Sequence, residues 1–123
     1  MNKRRIGSEY EKKAVGYLKK QGLTVLETNF RNRYGEIDII CRDGEFTVFV
    51  EVKYRSSTKN GDPAESVNYA KQKNICKVAD YYRIIHKMGE YTPIRYDVIT
   101  FLGTEIKWYK NAFNHVYTTR NRY

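Results

Sequence analysis

The sequence is short of the residues that mark several protein classes. Two prolines and eight glycines in 123 residues leave no Pro/Gly-rich linker and no low-complexity segment. The two cysteines, Cys41 and Cys76, stand far apart with no CxxC, and His86 and His115 fall at no zinc-ligand spacing relative to them. Their apolar flanks mark both cysteines as buried structural thiols. No apolar run approaches the ~18 residues of a membrane span, and the best stretch, residues 46–52, is interrupted by Glu51. The basic start, Met1 to Gly7, has no apolar stretch behind it, so no secretion signal is read and a cytoplasmic location is expected. GxxxxGK[ST], GxGxxG and GxSxG are all missing, which removes phosphate-loop, dinucleotide and hydrolase-elbow chemistry.

Acid is scarce too. Fourteen Asp and Glu face 23 Lys and Arg, a formal charge of +9. That excess suits a polyanionic partner, nucleic acid above all, but also suits a small protein kept soluble by charge. Twelve tyrosines within a 15% aromatic share can stack on bases or serve as ordinary strand residues. Apolar residues at 41% and charged ones at 30% describe a globular chain, and its length is that of one domain. We read that domain as 1–123, with a core over about 7–109 and a basic, aromatic tail over 110–123.

The apolar spacing of Ile6, Tyr10, Ala14, Tyr17 and Leu18 predicts a helix over residues 7–21, stopped at Gly22. Strands are predicted over 23–30, 36–41 and 46–55, with Asp43-Gly44 as the turn between the last two. Residues 56–61 read as a polar loop. Asp62, Pro63 and Glu65 spell a helix start, and Asn68 offers a second. The stripe Ile75, Val78, Ala79, Tyr82, Ile85 predicts a long helix ending near Gly89. Strands over 94–102 and 105–109 follow. The order is α-β-β-β-α-β-β, an α/β fold with a central mixed sheet flanked by helices.

Chemistry concentrates on the pair of strands 36–41 and 46–55. Val48, Val50 and Val52 share one face, while Phe49, Glu51, Lys53 and Arg55 share the other. On the partner strand Ile37, Ile39 and Cys41 lie on one side and Glu36, Asp38 and Ile40 on the opposite one. An Asp43-Gly44 turn sets Asp38 opposite Phe49 and Glu36 opposite Glu51, making Asp38 and Glu51 diagonal neighbours with Cβ atoms ~7 Å apart. Carboxylates converging from that separation can share a divalent cation. The competing reading is a solvated face with an ordinary Glu51–Lys53 ion pair. Crowding of Glu36, Asp38 and Glu51 argues for a cation, because like charges on paired strands repel. Glu-x-Lys beside an Asp suits metal-assisted phosphodiester chemistry: carboxylates hold the ion, and the ammonium meets the growing charge.

Gly35-Glu36-Ile37-Asp38-Ile39-Ile40 followed by Val48-Phe49-Val50-Glu51-Val52-Lys53-Tyr54-Arg55 resembles the YraN family of uncharacterised bacterial proteins. That family is similar to the PD-(D/E)xK nucleases, and to archaeal Holliday-junction resolvases in particular. The likeness spans roughly residues 7–101 and takes in Glu11, Ala14, Tyr17, Leu18 and Gly22, then Asn29-Phe30-Arg31, Lys71-Gln72 and Arg95-Tyr96-Asp97. It implies a restriction-endonuclease-like fold and a Mg²⁺-dependent endonuclease acting on structured or branched DNA, with Mn²⁺ as a substitute. By resemblance Asp38 and Glu51 are the metal ligands, Lys53 the catalytic lysine, and Glu11 a helix acid holding water or a second ion. Glu9 competes with Glu11, but Glu11 lies roughly 80° from the centre of the apolar stripe and Glu9 roughly 120°, at 100° per residue. Arg55, Lys71, Gln72 and Arg95 are the candidate nucleic-acid contacts; a solvated first helix turn accounts equally for Lys71 and Gln72, and Arg95 shares a strand face with Asp97, so the two either form a structural ion pair or border the cleft. Partners implied are DNA ahead of RNA, no membrane, and a homodimer as a possible assembly. Two departures stand out: Ile37 occupies the place of Pro, and Tyr10 that of Gly before the helix acid. The alternative function is a non-catalytic nucleic-acid-binding or recombination accessory module on the same fold.

Overall fold

α1 (Lys3–Lys20) buries Ala14 and Leu18 completely and rests Tyr10 and Tyr17 beside them, so the apolar stripe is its sheet-facing side. Its end is closed by two hydrogen bonds, Leu23 N–H to the Leu18 carbonyl and Gly22 N–H to that of Lys19. This Schellman pattern needs a left-handed residue, which Gly22 supplies at φ +94°. The computed structural model describes residues 3–55 and 67–117, with side chains described from residue 7 onward. The predicted loop 56–61 and the helix start at 62–65 lie outside the described residues.

The remaining elements are β1 (Thr24–Asn32), β2 (Gly35–Asp43), β3 (Phe46–Arg55), α2 (Tyr69–Ile85), β4 (Ile94–Leu102) and β5 (Glu105–Phe113). The five strands form one sheet in chain order, β1-β2-β3-β4-β5. The β1–β2, β2–β3 and β4–β5 pairs are antiparallel and β3–β4 is parallel, the last requiring a crossover that contains α2. The mixed sheet therefore has α1 on one face and α2 on the other, as the α-β-β-β-α-β-β order implied. Ile39, Cys41, Val48, Val50, Ile99 and Phe101 pack with α1, whereas Ile40, Phe49, Tyr96 and Val98 pack with Ile75, Val78, Ala79 and Tyr82 of α2. No helix among the described residues is long and apolar enough to cross a membrane.

Four local features differ from the sequence reading. The β2–β3 turn is Gly44-Glu45 rather than Asp43-Gly44, because Asp43 pairs with Phe46. Gly44 at φ +60° takes the left-handed first position of a two-residue loop. The register moves by two residues, which preserves every face assignment on β3. Second, Ile37 packs on the α2 side rather than with Ile39 and Cys41. Asn29 explains this: at φ +54° it interrupts β1 between the pairs Thr28–Ile39 and Phe30–Ile37, and a left-handed residue cannot continue a pleat.

Third, α2 ends at Ile85 with His86 as its cap, short of Gly89. Its start is the Asn68 alternative, whose side chain accepts the Lys71 N–H at 2.9 Å. Fourth, β5 runs on to Phe113 instead of stopping at 109. The cause is Asp97, whose buried carboxylate accepts from Arg95 Nε and Nη2, Trp108 Nε1 and Asn111 N. Asn111 sits at φ +53° in the resulting irregularity between the pairs Tyr96–Phe113 and Val98–Tyr109. Beyond β5, His115 lies between the Tyr96 hydroxyl (2.6 Å) and Asp80 (3.4 Å), so the first part of the predicted tail belongs to the packed fold.

Candidate functional site

The β2–β3 ladder stops at the pair Ile39–Val50. Asp38 and Glu51 are the next residues along the two strands, so the register sets them towards each other, not diagonally as the predicted turn required. Here a side chain replaces the backbone pairing: Val52 N–H donates to Asp38 Oδ2 at 2.8 Å. The chain keeps one strand edge satisfied while leaving its polar residues grouped at the end of the ladder.

Glu51 is buried, 4% exposed. Its Oε2 stands 3.5 Å from the Lys71 ammonium of α2, and its Oε1 has no hydrogen-bond partner among the described residues. Burial, reinforced by the Asp38 charge, pushes the Glu51 carboxyl up to about 7. Burial also raises Asp38, with the Val52 N–H acting in the opposite direction. Lys53, two residues along the same face of β3, is pushed down to about 8 by burial and by the neighbouring Lys71. Lys71 moves upward: burial opposes its charge, but Lys53 and the two carboxylates outweigh it.

A second group of acids adjoins the first. Carboxylate oxygens of Glu11, Glu36 and Asp38 lie within 4.8 Å of one another. Partial burial raises the Glu11 carboxyl, and Asp38 and Glu36 raise it further. With its amide turned to face them, Asn29 donates to Glu11 Oε1 and Glu36 Oε1, 2.7 Å each. Arg31 adds an ion pair to Glu36 at 3.3 Å. The left-handed kink of β1 thus places the Asn29 amide between two carboxylates that would otherwise repel.

Of the residues named from sequence, Glu11, Asp38, Glu51, Lys53 and Lys71 are brought together. Arg55 ends β3 on the Glu51–Lys53 face. Gln72 sits at the foot of α2 and donates to the Val67 carbonyl at 2.8 Å, holding the approach to the helix. Arg95 is not gathered in: its guanidinium is committed to Asp97 and Asp43, 2.9 Å each, near the β2–β3 turn. Its β3 partner Val48 precedes Lys53 by five residues, a distance of about 16 Å along a strand. Asn29 and Glu36 were missing from the candidate site residues. Asn29 read as a strand end because only the backbone reveals its φ, although Asn is among the few residues that adopt it readily.

Every donor grouped here is a carboxylate oxygen, the ligand type that hard divalent cations take, and the partnerless Glu51 oxygen fits such an ion. Fold and site together define an α/β domain with a carboxylate–lysine centre at the open end of a mixed sheet. Residues 10–101 match the uncharacterised protein family UPF0102, and the chain belongs to that family. It is 44% identical to a UPF0102 protein of Lachnoclostridium phytofermentans, covering 93% of this chain and 97% of that one. It is 47% identical to one of Thermodesulfovibrio yellowstonii (88% and 95% covered) and 44% identical to one of Fusobacterium nucleatum (90% and 92%). The family match takes in Glu11, Asn29, Glu36, Asp38, Glu51, Lys53 and Lys71.

Proposed function

We propose that this protein is a Mg²⁺-dependent endonuclease that hydrolyses phosphodiester bonds in structured or branched DNA, with Mn²⁺ able to substitute. The observation that carries the reading is the meeting of Asp38, Glu51 and Lys53 where the β2–β3 ladder stops, with one Glu51 oxygen unpartnered among the described residues. Asp38 and Glu51 would hold the cation, and Glu11 with Glu36 would hold water or a second ion. When bound, the cation supplies Lewis-acid polarisation of the phosphate and a more acidic water. The Lys53 ammonium lies on the same strand face and offers positive charge to the phosphate oxygens as they gain it. Lys71, 3.5 Å from Glu51 Oε2, partly offsets the burial that favours the protonated Glu51 carboxyl, and so supports that carboxylate as a ligand. The formal charge of +9 draws a polyanion towards an otherwise acidic centre. DNA is preferred to RNA, and a homodimer is admitted, on the resemblance alone.

The test is cleavage of single strands, duplexes, flaps and four-way junctions with Mg²⁺, Mn²⁺ or EDTA, by wild type, Asp38→Ala and Glu51→Ala. Metal-dependent products that vanish in both variants are the expected result. Binding that survives EDTA and both substitutions, with no products, would replace the nuclease with a non-catalytic binding module.

A further inference from the structure

Two patches of exposed aromatic and cationic side chains flank the acidic centre, each built from two elements. Beside α2, the β1–β2 turn carries Tyr34, 39% exposed. The Arg33 guanidinium lies 4.9 Å from the Tyr34 ring centre and donates to its hydroxyl at 2.9 Å. Lys77 of α2 reaches the same ring at 5.1 Å. The turn is closed down on the helix, since a Cβ on Gly35 would come within 3.8 Å of Val78. Beside α1, Tyr54 is 46% exposed and stacks on Tyr10, ring centres 4.5 Å apart and planes 23° off parallel. Tyr10 is anchored beneath by Phe101 at 4.9 Å, and Lys13 stands 5.1 Å from the Tyr10 ring.

Sequence position ties both patches to the centre. Tyr10 precedes Glu11, Tyr54 follows Lys53, and Tyr34 precedes Glu36 by two residues. α1 and α2 cover opposite faces of the sheet, so the patches approach the acids from two sides. Exposed aromatic rings held rigid by neighbouring cations are stacking platforms for bases, with the cations placed for the adjoining phosphates. Bases inside a duplex have both faces covered by their neighbours and cannot stack on a protein ring without leaving the helix.

We infer that the two patches, Tyr34 with Arg33 and Lys77 and Tyr54 with Tyr10 and Lys13, bind unpaired nucleotides on either side of the acidic centre. The ligand class is thus single-stranded nucleic acid, or the unpaired strand at a branch. The inference rests on the proposed function for the placement of the cleaved bond, but the binding it describes stands without cleavage.

The test is binding of a labelled single strand of about 20 nucleotides, longer than the ~4–16 a small domain covers, and of the same strand in a duplex. Measurements in EDTA separate binding from cleavage. Wild type is expected to bind the single strand at least about tenfold more tightly than the duplex. Tyr34→Leu and Tyr54→Leu each lose about tenfold for the single strand, within the range of one stacked base, and leave duplex binding unchanged. Tyr34→Phe and Tyr54→Phe retain binding, and unaltered unfolding midpoints exclude misfolding. Lys77→Gln flattens the slope of log affinity on log salt by about 0.7. Equal or tighter duplex binding, or Leu variants that bind the single strand like wild type, would overturn the inference. Metal-dependent cleavage that shows no preference for unpaired strands would sink it and leave the nuclease standing. Ring-dependent binding without cleavage in any metal would sink the nuclease and leave this binding surface.

Discussion

Asn29 carries two duties that pull in the same direction. Its left-handed backbone turns β1, and its amide lies between Glu11 and Glu36. The two can be separated by substitution. Asn29→Gly keeps the backbone freedom and removes the amide, whereas Asn29→Ala removes both. In urea unfolding both variants are expected to lose stability, Gly by about 1 kcal/mol and Ala by about 1–2 kcal/mol more. Equal losses would show that the backbone conformation costs nothing to Ala. Glu51 gives a second prediction. Its carboxyl is raised to about 7, so between about 4.5 and 7 the folded protein binds a proton that the unfolded chain has released. Stability from this group is highest at low pH and falls by up to about 1.4 kcal/mol per pH unit across that window. Glu51→Gln abolishes the titration, so unfolding in EDTA should find its advantage over wild type growing from pH 5 to pH 7.

Among the elements, β3 and β4 were legible to the residue, because continuous Val, Ile and Phe positions define strands buried on both faces. The turn residue pair was not. Asp-Gly and Gly-Glu place glycine at different positions of a two-residue loop, and the choice depends on the strand pairing itself. The two-residue slip spared the site because side chains alternate with period two; a slip of one would have put Asp38 and Glu51 on opposite faces. The length of β5 was hidden for another reason. Asp97 holds Arg95, Trp108 and Asn111 at once, and Arg95 also reaches Asp43, so one carboxylate links β4, β5 and the β2–β3 turn. Such long-range pairing leaves no local pattern in the chain. Asp97→Ala leaves the half-buried Arg95 with Asp43 alone and deprives Trp108 and Asn111 of their acceptor, and should cost about 1–3 kcal/mol, read as a lowered urea midpoint. A loss below about 1 kcal/mol would mean that Arg95 finds water or Asp43 sufficient.

At the scale of the whole molecule, the segment after β5 closes the α2 face. His115 stacks on Tyr96, whose hydroxyl its Nδ1 meets, while its Nε2 faces Asp80, and Val116 N–H donates to Cys76 Sγ at 3.3 Å. Burial alone would lower the imidazole, but the bond to Asp80, followed by Cys76, raises it to about 9. The contribution is fully present below about 6.5 and is lost as pH rises through about 9, at no more than about 1.4 kcal/mol per pH unit. Wild type should therefore lead His115→Gln most clearly near pH 6, with the lead shrinking by pH 9.5. Apart from that closure, the net charge of +9 and the crowding of Glu36, Asp38 and Glu51 along paired strands were readable in advance. What the sequence could not show was Lys71 crossing from α2 to Glu51, since helix and strand meet only through tertiary packing.

Strand order equal to chain order also has a temporal meaning. β1, β2 and β3 are joined by short turns and can zip together by contacts between near neighbours in the chain, whereas the β3–β4 pair must wait for the whole stretch between Arg55 and Ile94 to close. Glu11, Asn29, Glu36, Asp38, Glu51 and Lys53 all belong to the early-closing part; Lys71 arrives with the late one. The nascent sheet thus gathers four carboxylates before the lysine of α2 docks against them, and their mutual repulsion opposes closure of β1–β3, a barrier that a dissolved divalent cation or high salt would lower. Refolding followed by pulsed hydrogen exchange should find β1–β3 protected first, and protected sooner as ionic strength rises, whereas docking of α2 through Lys71 should gain nothing from salt.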